Sequence, residues 1–110
     1  MLTASPHGML DPCLKRCGVW ELFDNVWSCE DFSASKSDPG IYKMAAEAIG
    51  TEVSDVIFVD DNPVAVEAAK RGGMISVGIY DDSSARLVER MKAVSDGNVN
   101  TIAELLTLYI

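Results

Sequence analysis

Val56, Ile57, Phe58 and Val59 form an apolar run that ends in two adjacent carboxylates, Asp60 and Asp61, and passes at once into Asn62 and Pro63, a helix-start pair. Four β-favouring residues without polar alternation suit a strand covered on both faces, which is the habit of parallel sheets in α/β proteins. In such sheets ligands sit beyond the carboxyl ends of the strands, so Asp60 and Asp61 are expected to face a crevice. Two carboxylates about 4 Å apart repel by about 1 kcal/mol in water and by about 4 kcal/mol at an effective dielectric of 20. Holding them together at a partly buried edge asks for a cation, and all-oxygen ligands favour Mg²⁺.

Around that strand the chain alternates short apolar runs with amphipathic segments. This is the grammar of an α/β fold with a parallel sheet. Residues 1–3 read as the end of a strand, residues 6–17 as a helix that Pro12 strains or kinks, and residues 25–29 as a brief strand. A polar loop over residues 30–37 follows. Asp38 then caps a helix with Pro39 at its first position and with Ile41, Met44, Ala45, Ala48 and Ile49 as the inward stripe, closed by Gly50. After the 56–59 strand, Asn62 and Pro63 repeat the cap, Val64, Ala65, Ala68 and Ala69 form a stripe, and Gly72-Gly73 supplies the left-handed stop. Residues 74–80 read as another buried strand, completing a right-handed parallel βαβ unit. Helices over residues 85–94 and 102–109 end the series. No linker divides these elements, so residues 1–110 are expected to be one domain.

The 110 residues are 48% hydrophobic and 24% charged, the composition of a soluble globular domain. A formal net charge of −8 without any basic run argues against nucleic acid or an anionic membrane as the partner. A small anion is still admissible, because phosphate sites are built locally from a lysine, backbone amides and a metal. Cys13, Cys17 and Cys29 have no Cys-x-x-Cys spacing, and His7 is the only histidine, so zinc is not expected. The three thiols read as reduced, with Cys13 and Cys17 as small packing residues. No leader opens the sequence, and no apolar run approaches the roughly 20 residues that span a bilayer, so a cytoplasmic protein is the default expectation.

The polar residues at strand and loop ends are, in order, Thr3, Lys36, Asp60 and Asp61. Thr3-Ala4-Ser5, then Lys36-Ser37-Asp38-Pro39-Gly40-Ile41-Tyr42, then residues 56–74 resemble motifs two, three and four of the haloacid dehalogenase superfamily. Residues 59–74 are similar to the fourth motif of its phosphoglycolate phosphatase and β-phosphoglucomutase type. The resemblance implies an incomplete Rossmann-like three-layer core and a Mg²⁺-dependent phosphomonoesterase acting on a small phosphorylated metabolite. It also implies roles. The Thr3 hydroxyl and the Ala4 amide would donate to the phosphoryl group, Lys36 would pair with it and with the attacking carboxylate, and Asp60 and Asp61 would hold the metal. A response-regulator receiver uses similar groups, but with the acid pair first and the lysine last.

Each residue also has a plainer role. Thr3 and Ser5 are ordinary helix-cap types, and a loop lysine is usually solvated. The second acid pair, Asp81-Asp82, reads as a turn and cap before Ser83, and His7 as a surface or capping residue rather than a general base. Two departures are larger. The family's nucleophile lies in an Asp-x-Asp motif on a central first strand, and no Asp-x-Asp occurs in this chain; the substrate-selecting cap domain has no counterpart either. Ala65 stands where members often carry Asp or Asn, and Ser37 where Pro is usual. The expectation is therefore the carboxyl-terminal half of a phosphatase core, inactive alone and binding Mg²⁺ weakly. It would self-associate or pair with a complementary amino-terminal fragment. A non-catalytic interaction module on the same scaffold is the alternative.

Overall fold

A computed structural model describes residues 1–109, and in it every strand pair is parallel. The order is β1 (Leu2–Thr3), α1 (His7–Arg16), β2 (Trp27–Ser28), α2 (Pro39–Ile49), β3 (Ile57–Asp60), α3 (Pro63–Arg71), β4 (Ile75–Ile79), α4 (Val88–Val94), β5 (Gly97–Val99) and α5 (Ile102–Tyr109). The strands make two sheets, β1-β2 and β3-β4-β5. Each of β1 and β3 is hydrogen-bonded to a neighbour on one side only, and no ladder joins them. This is the α/β architecture expected from the sequence, incomplete at its centre.

The split changes what the apolar run experiences. Residues 57–60 are only half-buried, although their composition fits a strand covered on both sides. Its neighbour β4 is the buried strand, with Ser76, Val77 and Gly78 enclosed. The element β5 carries no sequence signal of its own, since three residues with a leading glycine look like a turn. Its first register partner is Val77, and its ladder is preceded by a clamp in which Asp96 accepts hydrogen bonds from the Ser76 backbone N–H at 2.8 Å and from the Ser76 hydroxyl at 3.3 Å.

Helix ends follow the expected cap chemistry. The side chains of Asp38 and Asn62 accept from the backbone N–H of Gly40 and Val64, each at 2.9 Å, and Pro39 and Pro63 open the helices. Gly50 closes α2 at φ 85°, a left-handed conformation that suits glycine. The inward faces differ from expectation. In α2 they are Ile41, Tyr42, Ala45 and Ala46, while Ala48 and Ile49 are exposed. In α3 they are Pro63, Ala65, Val66, Ala68 and Ala69, while Val64 faces outward. Spacing of i, i+1, i+4 and i+5 turns Tyr42 inward, where its hydroxyl finds two carbonyls. The longer stripe read from hydropathy does not include that side chain.

The core is the seam between α2 and α3, where Tyr42, Ala45 and Ala46 meet Ala68, Ala69 and Met74. Leu2, Trp27, Phe32, Val56 and Phe58 pack against it. Only the second glycine of the pair after α3 is left-handed: Gly73 has φ 104°, whereas Gly72 is right-handed at −75°. Gly72 is required for another reason, since a Cβ there would stand 2.6 Å from the Pro39 carbonyl oxygen and 3.3 Å from the Tyr42 Cβ.

At the amino-terminal side, α1 runs His7–Arg16 as one helix with Pro12 inside it. Ser5 does not cap it. The cap position is Pro6 with no side-chain bond, and the Glu30 carboxylate, from the turn after β2, accepts the His7 backbone N–H at 2.9 Å instead. The His7 ring bridges Asp11 at 2.9 Å and Asp31 at 2.6 Å, and Asp31 also accepts the Ser28 N–H at 2.9 Å. His7 thus ties the β1–α1 turn to the β2 turn. Cys13 and Cys17 are exposed thiols rather than packing residues, and Cys29 is half-buried.

Two outcomes follow from this packing. Gly72→Ala gains about 0.4–1 kcal/mol by stiffening the unfolded chain, but forcing α2 off α3 costs about 1–3 kcal/mol, so the midpoint of urea unfolding should fall. The hydrogen bonds to Asp11 and then Asp31 push the His7 pKa from 6.5 up to about 9. Because the folded value is the higher one, the tie contributes fully below about pH 6.5 and is lost as pH rises through about 9. An NMR titration of the imidazole should show that midpoint, and in Asp31→Asn a lower one.

Candidate active site

The carboxyl ends of β1 and β3 carry the residues singled out from the sequence: Thr3 ends β1, and Asp60 ends β3. Lys36, in the loop leaving β2, reaches across to β3. Its Nζ donates to Asp60 Oδ2 at 2.7 Å, with the side chains 25% and 11% exposed, and lies 5.8 Å from the centre of the Phe58 ring. The gross Coulomb attraction at this distance is about 6 kcal/mol at an effective dielectric of 20, most of which is cancelled by desolvation. A lysine so placed is not the freely solvated loop residue of the plainer reading.

The structure brings Lys36 together with Asp60, and sends Asp61 elsewhere. Asp60 Oδ1 accepts the Asn62 N–H at 2.9 Å, so both oxygens of this carboxylate are engaged. Asp61 Oδ2 accepts from the Ser84 hydroxyl at 3.2 Å, on the segment after β4. It opens onto a cavity of about 70 Å³ bounded by Ile79, Tyr80, Met91 and Asn98. Thr3 stands at the matching end of its own sheet, where its Oγ1 accepts the Ser5 N–H at 3.2 Å. The residues therefore line the carboxyl ends of two half-sheets, which the Lys36–Asp60 contact bridges.

Carboxylate oxygens are the donor class that Mg²⁺ prefers. In number they fall short, because among the described residues no third Asp, Glu, His or Cys joins them in a metal-holding group. With Lys36 on Asp60, the carboxylate left for a cation is that of Asp61. Asp81 behaves as expected of a cap: it accepts from the Ser83 N–H and hydroxyl, which hold its carboxyl below the usual range.

Two participants carried no assigned role in the sequence reading. Tyr42, fully buried, donates to the Lys36 carbonyl at 2.5 Å and to the Ala65 carbonyl at 3.1 Å. The available signal was an aromatic residue six positions after Lys36, beside the apolar stripe of a capped helix. Ser84 bonds Asp61 across 23 residues of sequence, and nothing in the local pattern distinguishes it from a cap serine.

Against known proteins, a hydrolase family described as haloacid dehalogenase-like hydrolase matches residues 1–73. The validoxylamine A 7'-phosphate phosphatase of Streptomyces hygroscopicus subsp. limoneus is 33% identical over 79 residues, 72% of this chain and 37% of that protein. A phosphatase of Mycobacterium tuberculosis is 33% identical over 92 residues, 84% of this chain and 38% of its own. The crystal structure of a dehalogenase with an intermediate complex superposes with a TM-score of 0.84 at 28% identity, covering 97% of this chain and 46% of that one. The chain spans less than half the length of these relatives. No described helix is long and apolar enough to cross a membrane. The matched residues include Thr3, Lys36, Asp60 and Asp61, and with the fold they establish that this chain belongs to the haloacid dehalogenase-like hydrolases, among relatives that include phosphatases.

Proposed function

We propose that this chain supplies the phosphate-gripping and metal-binding half of a Mg²⁺-dependent phosphomonoesterase acting on a small phosphorylated metabolite. The reading is carried by the Lys36–Asp60 pair, an ammonium held 2.7 Å from a carboxylate at the end of a parallel strand. In the working enzyme Lys36 would balance the phosphoryl oxygens and the attacking carboxylate. The Thr3 hydroxyl and the Ala4 amide would donate to the transferring group. Asp61, with Asp60, would hold Mg²⁺ together with oxygens from outside this chain. The metal, when bound, offsets repulsion between two anions.

The nucleophile is proposed to come from a complementary amino-terminal segment whose strand pairs with the free edges of β1 and β3. Half-exposed Ile57, Phe58 and Val59 support that reading, because parallel strands of this composition are normally covered on both sides. Without that segment no carboxylate stands ready to form a phosphoenzyme, so the chain alone should be inactive, bind Mg²⁺ weakly and self-associate through its open edges. A non-catalytic interaction module is the second reading, favoured by the lack of an Asp-x-Asp sequence in this chain.

One experiment separates the two. The chain is mixed with a separately made segment carrying an Asp-x-Asp strand from a related phosphatase, and hydrolysis of p-nitrophenyl phosphate is followed with and without Mg²⁺. The expected result is turnover only in the mixture, removed by EDTA and reduced at least 100-fold in Lys36→Ala. Binding without turnover supports the interaction module and overturns the phosphatase reading.

A further inference from the structure

We infer that the Tyr42 hydroxyl is the positioning group for Lys36, fixing the lysine's backbone to the element that follows the acid pair so that its ammonium meets the carboxyl end of β3. The inference rests on the role proposed above for Lys36, and it concerns a residue to which no chemistry has been assigned.

The geometry is specific. Lys36 lies in a loop, outside any helix or strand, and its side chain has four rotatable bonds, so an ion pair at a partly exposed rim does not by itself hold one arrangement. Tyr42 Oη lies 2.5 Å from the Lys36 carbonyl and 3.1 Å from that of Ala65 in the first turn of α3. A hydroxyl has one proton, so the two acceptors share it, with the closer Lys36 carbonyl as principal partner. The same ring meets Phe58 edge-on, with centroids 4.9 Å apart at 73°, and Phe58 stands two residues before Asp60. Lys36 Nζ lies over the other side chain of that contact, 5.8 Å from the Phe58 centroid. Tyr42 therefore touches the Lys36 backbone directly and, through Phe58, the strand that carries Asp60.

The environment keeps Tyr42 a donor. Burial first, then the charge of Asp60, raises its pKa above the ordinary tyrosine value, which favours the protonated, donating phenol. A phenylalanine would fill the same space and stack on Phe58, but would remove the donor to the Lys36 carbonyl, which lies in a loop with no helical ladder to replace it. Gly72 belongs to the same construction, because its lack of a side chain lets Pro39 and Tyr42 settle against the end of α3.

The test compares Tyr42→Phe with Ser76→Ala in the full chain. Ser76 is buried on β4 and is not among the Lys36 contacts, so it serves as a structural control. Melting temperatures are matched by adding urea, and the Lys36 side chain is followed by nitrogen-15 relaxation and by ammonium proton exchange with water. The expected result is at least tenfold faster ammonium exchange and loss of side-chain order in Tyr42→Phe, with Ser76→Ala at the unmutated values. Equal behaviour of the two variants overturns the inference. A second measurement needs no variant. In the unmutated chain the Tyr42 hydroxyl proton should give a slowly exchanging resonance with a cross-relaxation contact to Lys36 Hα, and failure to find it overturns the inference even where Tyr42→Phe does not fold. Neither readout involves turnover, so a failure here and a failure of the phosphatase reading are told apart.

Discussion

The close approach of α2 to α3 holds this molecule together, because no hydrogen-bonded ladder joins the half-sheet β1-β2 to the half-sheet β3-β4-β5. In an intact parallel sheet, backbone bonds would fix the distance between Thr3 and Asp60. Here that distance is set by side chains on a helix seam lined with Ala45, Ala46, Ala68 and Ala69 and closed by Gly72. Small residues bring helix axes close, and close axes have little tolerance: interiors are packed at crystal-like density, so one added methyl is felt across the seam. The site depends on the same seam, since Lys36 precedes α2 and Asp60 precedes α3.

Tyr42 shows how core and rim are one construction. Its ring belongs to the core cluster, and its hydroxyl bonds the loop that carries Lys36. A buried hydroxyl without partners would cost about 1–3 kcal/mol, and the two carbonyls it reaches remove that cost for an inward-turned Tyr42. The turns after β1 and β2, on the same rim, use a different device. There an imidazole between two carboxylates ties the turn after β1 to the turn after β2, and the Glu30 carboxylate occupies the amino terminus of α1. Each turn flanking the rim is thus pinned by a side chain from a neighbouring segment.

How legible this was from sequence depends on range. Caps, glycine stops and the order of helices were readable because their causes lie within a few residues: Asp38 with Pro39, Asn62 with Pro63, Gly50 at positive φ. The inward faces were less so. Hydropathy alone places Ile49 inside and gives Tyr42 no preference, whereas partners far along the chain decide the matter. The strand β5 was missed because three residues supply no period to read. The pair Lys36 and Asp60 was found through motif order, and its contact spans 24 residues that no local pattern measures. The division between Asp60 and Asp61 was not legible at all, since it turns on Ser84, whose neighbours read simply as a cap.

That division orders the chemistry of the acid pair. Asp60 has one oxygen on the Lys36 ammonium and the other on the Asn62 N–H, so its charge is compensated within the chain. Asp61 receives one hydroxyl bond from Ser84, at 3.2 Å, beside a cavity. Its carboxylate has more unmet acceptor capacity, because an ionised carboxylate offers about four lone-pair sites. Asp60 closes β3 and Asp61 lies just past it, so the two carboxylates meet different partners. A cation arriving at this rim would meet Asp61 first, and would engage Asp60 fully only by competing with Lys36. An incoming phosphate would draw the same lysine away from Asp60. On the phosphatase role proposed above, cation and phosphate would reinforce one another, since Lys36 drawn toward phosphate leaves an Asp60 oxygen free for the metal.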